Sequence, residues 1–199
     1  MVLPESKVKE IIEKSGGGEV VLDLAAIDGV TEVVLTCSAL DAFASVADVT
    51  IKLPSGSVTL DVSAIASIIG QAVSDELMVV VKPVAALSLT AAQQNAVKAG
   101  RLVPDINIMS GGRKIRVFDG SLAIQVPYTG LQTVAVWHLN NAGEMEKLVC
   151  TFTNGIVAFT LNHLSLYVVG PDAVWLILFP TLKSLIGFTP LYNMSMKTD

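Results

Sequence analysis

The chain has 199 residues, enough for one substantial hydrophobic core or two small ones. Apolar residues make up 52% and charged residues 16%. That balance excludes a disordered chain, which buries too little surface to offset its conformational entropy. A net charge of −5 gives no electrostatic reason to expect nucleic acid as a partner. Three of the basic residues, Arg113, Lys114 and Arg116, cluster beside a Gly-Gly turn and read as a solvated hairpin. Cys37 and Cys150 lie far apart with no second Cys or His at metal-ligand spacing, so no zinc or other metal site is expected. They read as two unpaired, buried thiols, with a single disulfide between them as the alternative in a secreted protein, a choice that geometry decides and sequence does not. The opening Met-Val-Leu-Pro-Glu-Ser-Lys has no basic region followed by an apolar run, so a secreted parent is expected to be represented here by a fragment.

Lys7 to Lys14 has helical spacing with Val8, Ile11 and Ile12 on one face, and Gly16-Gly17-Gly18 ends it. No Gly-Lys-Ser/Thr follows these glycines and the order is helix then strand, so they are a turn and not a phosphate loop. Glu19 to Leu24 alternates and is β-branched, which predicts a strand. A 25-residue repeat follows: Leu35-Thr36-Cys37-Ser38-Ala39-Leu40 parallels Leu60-Asp61-Val62-Ser63-Ala64-Ile65, and Phe43 falls opposite Ile68. Each copy reads as a short strand running into a serine-capped apolar helix of about two turns. Two copies are too few for a solenoid. Strands are predicted after each copy, at Asp48 to Leu53 and Leu77 to Val84.

Leu89 to Ala99 reads as a helix capped by Ser88 or Thr90, and from Ile106 onward the pattern is β. Predicted strands are Ile106 to Ile108, Lys114 to Phe118, Ser121 to Tyr128, Thr133 to Leu139, Lys147 to Thr153, Ile156 to Leu161 and Leu164 to Val169. Asn154-Gly155 is the strongest hairpin signal, because both residues tolerate positive φ. Short strands at this spacing predict a mainly β (α+β) domain: an antiparallel sandwich with two or three short helices packed on one end. The predicted organisation is a single β-rich module over 1–170, with a strand–helix half (1–84) and a hairpin-rich half (85–170), then an apolar segment over 171–199. In that segment Lys183, Pro180 and Pro190 argue against a membrane span, which needs about 20 largely apolar residues. Ala173 to Phe179 is expected to pack as a strand or docked segment, burying Trp175 and Phe179.

The usual hydrolase constellations are missing: there is no Gly-x-Ser-x-Gly elbow and no His-Glu-x-x-His helix. Asp105, Asp119 and Asp172 lie at turns, where carboxylates cap backbone amides. Of the two histidines, His138 reads as a plain strand residue beside Trp137. Trp137, Tyr128 and Tyr167 serve either as core aromatics or as a stacking platform for sugar rings. Asn193-Met194-Ser195 matches a glycosylation sequon by chance.

The run from Leu89 to Val169 resembles a module of surface proteins from clostridia and related Firmicutes, proteins that carry S-layer-homology or Ig-like repeats. The resemblance rests on Leu89-Thr90, Ser110-Gly111-Gly112-Arg113-Lys114-Ile115, Val126-Pro127-Tyr128, the stretch Val134 to Lys147, Gly155 to Thr160, and Asn162 to Val169. It implies an extracellular or cell-surface protein without catalytic activity or cofactor. Its partners would be the neighbouring domains of the parent, with a polysaccharide or protein ligand as the alternative. The closing His163-Leu164-Ser165 is also similar to the end of the GAIN sandwich of adhesion receptors, some of which cut themselves there. That likeness implies Ser165 as nucleophile, His163 as base and Leu164 as acyl donor. The chain departs from the GAIN pattern in lacking its paired cysteines and tryptophans, and from the bacterial module in having Leu164 where Phe is usual.

Overall fold

The computed structural model describes residues 5–97, 101–130 and 133–172. Ala173 to Phe179, with Trp175 and Phe179, lie outside the described residues. Two sheets face each other. One has six strands in the order β1-β3-β4-β8-β12-β11, the other seven, with β10-β9-β13-β6-β5-β2 hydrogen-bonded in series and β7 pairing β6. The ranges are β1 Val20–Asp23, β2 Glu32–Thr36, β3 Val49–Leu53, β4 Gly56–Leu60, β5 Glu76–Pro83, β6 Pro104–Ser110 and β7 Arg113–Ile115. They continue with β8 Val117–Pro127, β9 Val134–Leu139, β10 Met145–Leu148, β11 Cys150–Thr153, β12 Ile156–His163 and β13 Leu166–Pro171. The mainly β sandwich expected from strand spacing is the observed fold.

The repeat is structural as well as sequential. Its first copy runs from β2 in the seven-stranded sheet through α2 (Cys37–Ala44) to β3 in the six-stranded sheet. The second runs the opposite way, from β4 through α3 (Val62–Gly70) to β5. Consequently β2 pairs β5 and β3 pairs β4, both antiparallel, as a pseudo-twofold arrangement requires. Equivalent positions share one fate: Ala39 and Ala64, Leu40 and Ile65, and Phe43 and Ile68 are all buried in the common core. The caps lie two residues before the serines: Thr36 Oγ1 accepts from the Ala39 amide, and Asp61 Oδ1 from the Ala64 amide. Ser38 and Ser63 are therefore inside the first turn.

Asp61 does more than cap. Its Oδ2 accepts from both the amide and hydroxyl of Ser121, at 2.7 and 2.8 Å, tying α3 to β8. Gly120 makes this approach possible, since a Cβ there would sit 2.3 Å from Asp61 Oδ1, and its φ of +80° is itself a glycine conformation. Partial burial pushes the Asp61 carboxyl upward, but the hydrogen bonds it accepts outweigh this and hold it below the ordinary value.

Among the described residues there are four α-helices where two or three were expected, and they are not all at one end. α1 (Glu5–Ser15) packs on β1 and α2, and α2 on α3. α4 (Ala91–Ala96), closed by a Thr90–Gln93 capping box, belongs to a second cluster. Leu89, Val103, Ala135, Trp137, Leu139 and Val168 form that cluster, so Val84, Leu89, Ala96, Val97 and Val103 contribute to covering one side of β9 and β13, whose other side faces the main core. The buried amide of Gln93 donates to the Asn140 carbonyl and anchors α4 to the β9–β10 turn.

Two further features depart from the expected pattern. β1 pairs β3 in parallel, because the repeat's helix returns the chain beside a strand that already runs the same way. The stretch read as one strand, Lys147 to Thr153, is two: β10 pairs β9, and β11 pairs β12 in the other sheet. Val149, the residue between them, is 93% exposed as the chain passes from one sheet to the other. Asn154-Gly155 forms the expected hairpin, with φ of +51° and +77°.

Replacing Thr36 by Ala should cost about 1 kcal/mol, the usual value of a lost cap. Asp61→Ala should cost more, about 2–3 kcal/mol, because it also strands the Ser121 amide and hydroxyl. Urea denaturation of the two variants checks the order, and equal midpoints would refute the tie to β8. The depressed Asp61 carboxyl stabilises the fold above its ordinary pKa, a contribution lost as pH falls below about 4. Asp61→Asn should flatten that part of the acid limb.

Candidate functional site

The His163-Leu164-Ser165 motif lies where the chain leaves the six-stranded sheet at the end of β12 and enters the other as β13. A register shift between Leu161 and His163 loosens the last pairing with β8 and frees the chain to turn inward. Leu164 fills the core, as expected of an apolar residue there. Its amide donates to the Arg116 carbonyl at 2.7 Å. Arg116 is itself the residue between β7 and β8, so two crossings between the sheets run side by side and are hydrogen-bonded together. Tyr167, fully buried, donates its hydroxyl to the His163 carbonyl at 2.7 Å, closing the bend from four residues downstream. Burial raises the Tyr167 phenol well above its ordinary value, so it remains a donor across the working range of pH.

The two histidines, 25 positions apart in sequence, meet here. Antiparallel pairing of β9 and β13 sets His138 opposite Tyr167, and the His138 and His163 rings stack edge to face with centroids 5.0 Å apart. His138 Nε2 lies 3.0 Å from Ser165 Oγ. His163 Nδ1 instead lies 3.0 Å from its neighbour's Asn162 Oδ1. The serine's imidazole partner is therefore His138, not the His163 that the GAIN likeness implied. Nothing local marks His138 for this role: its alternating strand is compatible with either face, and the pairing with β13 is reached only after the excursion through β10, β11 and β12. Glu146 is paired across from His138 on β10. Desolvation, reinforced by the neighbouring His163, lowers the His138 pKa below the ordinary imidazole value, while Glu146 opposes the shift.

A hydroxyl beside a neutral imidazole has the first requirement of a nucleophile, a base in hydrogen-bond reach. The three aromatic residues weighed as a sugar platform do not form one. Tyr128 packs edge-on to Phe152, Tyr167 against Phe159, and Trp137 lies in the second cluster beneath the Arg101 guanidinium, 4.4 Å from the ring centroid. All three are buried. Asp172 is ion-paired with Lys147, while Asp105 accepts from Asn107. Among the described residues no group of three His, Cys, Asp or Glu could hold a metal ion. Cys37 and Cys150 are free and half-buried, their thiols directed at the carbonyls of Ser74 and Val134.

No protein-family model and no curated protein matches this chain.

Because His138 is harder to protonate in the folded chain than in the unfolded one, the unfolded state takes up the proton first as pH falls. Stability from this group is complete above about pH 6.5 and declines as pH drops below it, toward the folded-state value. Denaturation midpoints between pH 7.5 and 5 should fall for the parent and fall less for His138→Gln. A proton NMR titration in which His138 titrates at or above the ordinary imidazole value would overturn this.

Proposed function

We propose that the chain is a non-catalytic structural module of a bacterial cell-surface or secreted protein, which holds neighbouring domains apart through its rigidity. The observation that carries the reading is the route of the chain. β1 starts beside the start of β3, at the end occupied by α2 and α3, where α1 packs on α2. β5 and β6 fix the opposite end, where Pro83 pairs Pro104. Leu102, just before it, bridges Val169, and β13 continues past that level to Pro171. The first strand thus starts, and the last strand ends, at opposite ends of the sandwich, which suits a spacer placed in series with other domains.

Rigidity has its own support. One continuous core is drawn from every strand layer and from α1, α2 and α3. Among the described residues each buried side-chain nitrogen and oxygen has a hydrogen-bond partner, so the interior holds no polar group seeking another arrangement. The assignment to a surface protein rests on the resemblance of Leu89 to Val169 to the clostridial module.

The proposal is tested by placing the chain between two fluorescent proteins. The interdye distance should be narrow and unchanged by added salt, whereas a Gly/Ser linker of equal length gives a broad distribution. A distribution as broad as the linker's would sink the spacer reading. Protease and antibody access on intact producing cells tests the location, and a chain found only in the cytosol would sink the surface reading.

The 3.0 Å contact between Ser165 Oγ and His138 favours one second reading, self-cleavage between Leu164 and Ser165. In this reaction the hydroxyl attacks the Leu164 carbonyl, His138 takes its proton and passes it to the departing amide nitrogen, and water opens the resulting ester. Denaturing mass spectrometry should show two fragments split at that bond, abolished in both Ser165→Ala and His138→Gln. A single intact mass after prolonged incubation excludes it.

A further inference from the structure

Arg113, Lys114 and Arg116 supply three of the chain's thirteen Lys and Arg within four positions, in a protein of net charge −5. All three are exposed. The ion pairs among the described residues lie elsewhere, at Lys7, Lys14, Lys52 and Lys147, and none uses these three cations. Adjacent like charges without counterions repel, so the cluster costs stability unless an anion offsets it.

The cluster is also held in place. Ser110 and Arg113 face each other across the Gly111-Gly112 turn, with φ of +53° and +78°. The buried Ser110 hydroxyl accepts from the Val73 and Ser74 amides and donates to the Ser74 carbonyl, fixing the turn to the loop after α3. Ile115 is buried in the core, and the Arg116 carbonyl receives the Leu164 amide. A short strand anchored at both ends presents its cations without first having to be ordered. Between it and the end of α3 lies an open cleft of about 240 Å³, lined by Gln71, Ser110, Arg113, Lys114 and Ile115. The Gln71 amide nitrogen is engaged with the Ser67 and Val117 carbonyls, which holds this side chain across the cleft.

We propose that this cleft binds a phosphate-type oxyanion through Arg113, which projects to the same side of β7 as the buried Ile115, with Lys114 adding a second charge at its edge. The guanidinium fork suits two oxygens of one phosphate and the ammonium supplies a compact second charge. The volume admits a single phosphate group, free or carried as an ester. The proposal goes beyond the spacer reading and does not depend on it.

The test uses the full chain, with inorganic phosphate and glycerol 3-phosphate as probes at constant ionic strength. Amide NMR should show saturable shifts confined to residues 111–116 and the region of Gln71. Arg113→Gln with Lys114→Gln should weaken binding at least ~10-fold while its spectrum elsewhere stays that of the parent. Lys52→Gln, on a distant strand, should leave binding unchanged. Saturation by the ester as well as the free ion assigns the site to a phosphate on a larger molecule; saturation by the free ion alone assigns it to the ion, and either upholds the cleft. Shifts spread over all lysines, no saturation, or equal affinity in the double variant would overturn it.

Discussion

Everything in this molecule depends on the two sheets sharing their strands with one another along the chain. Among the described strands, seven of the twelve connections pass from one sheet to the other: β1 to β2, β8 to β9, and those through α2, through α3, at Arg116, at Val149 and at Leu164-Ser165. A sheet buried on one face is stable only when that face is covered. Here the covering sheet is built from the neighbouring segments of the same chain, so neither sheet can form its apolar face without the other. Core residues from both, such as Leu35, Ile51, Leu77 and Leu122, are accordingly buried almost completely.

The crossings are also where polar chemistry collects. A strand within a sheet meets its hydrogen-bonding needs through its neighbours, but a residue between sheets has left the ladder and must find other partners. Arg116 and Leu164 solve this by bonding to each other, and the His163 carbonyl by accepting from Tyr167. The helical crossings solve it with caps from Thr36 and Asp61. His138, Ser165 and the basic strand β7 all lie at or beside such crossings. The end of β7 meets the bend through the Arg116–Leu164 hydrogen bond, while His138 stays in the ladder, paired with Glu146 and Tyr167, and reaches Ser165 because β9 and β13 are neighbours.

Much of the fold was legible in the sequence. The alternation in Glu19 to Leu24, the Asn154-Gly155 turn and the doubled strand–helix unit each carry their structure in local chemistry, and each is found. The parallel pairing of β1 with β3, the split of Lys147 to Thr153 at Val149, and the lodging of α4 against β9 and β13 are set by partners remote in sequence. Local propensity is blind to these. The site shows the same division. His163, Leu164 and Ser165 were visible as a motif and Leu164 sits in the core. The serine's partner, however, is decided by the register between β9 and β13, which places His138 rather than His163 against the hydroxyl.

The opposed placement of the start of β1 and the end of β13 has a mechanical meaning. Tension applied along the polypeptide reaches the sheets through α1 and then β1, which starts at the helical end, and through β13 at the other. β13 is not an edge: β9 flanks it on one side, with β6 and Leu102 on the other. Pulling along its axis loads the hydrogen bonds of both neighbours together, in shear, instead of unzipping them one after another. β1, hydrogen-bonded to β3 alone and running parallel to it, is the weaker grip. Under load the chain should therefore yield first from its amino-terminal edge, while the strand that bears the His-Leu-Ser bend holds.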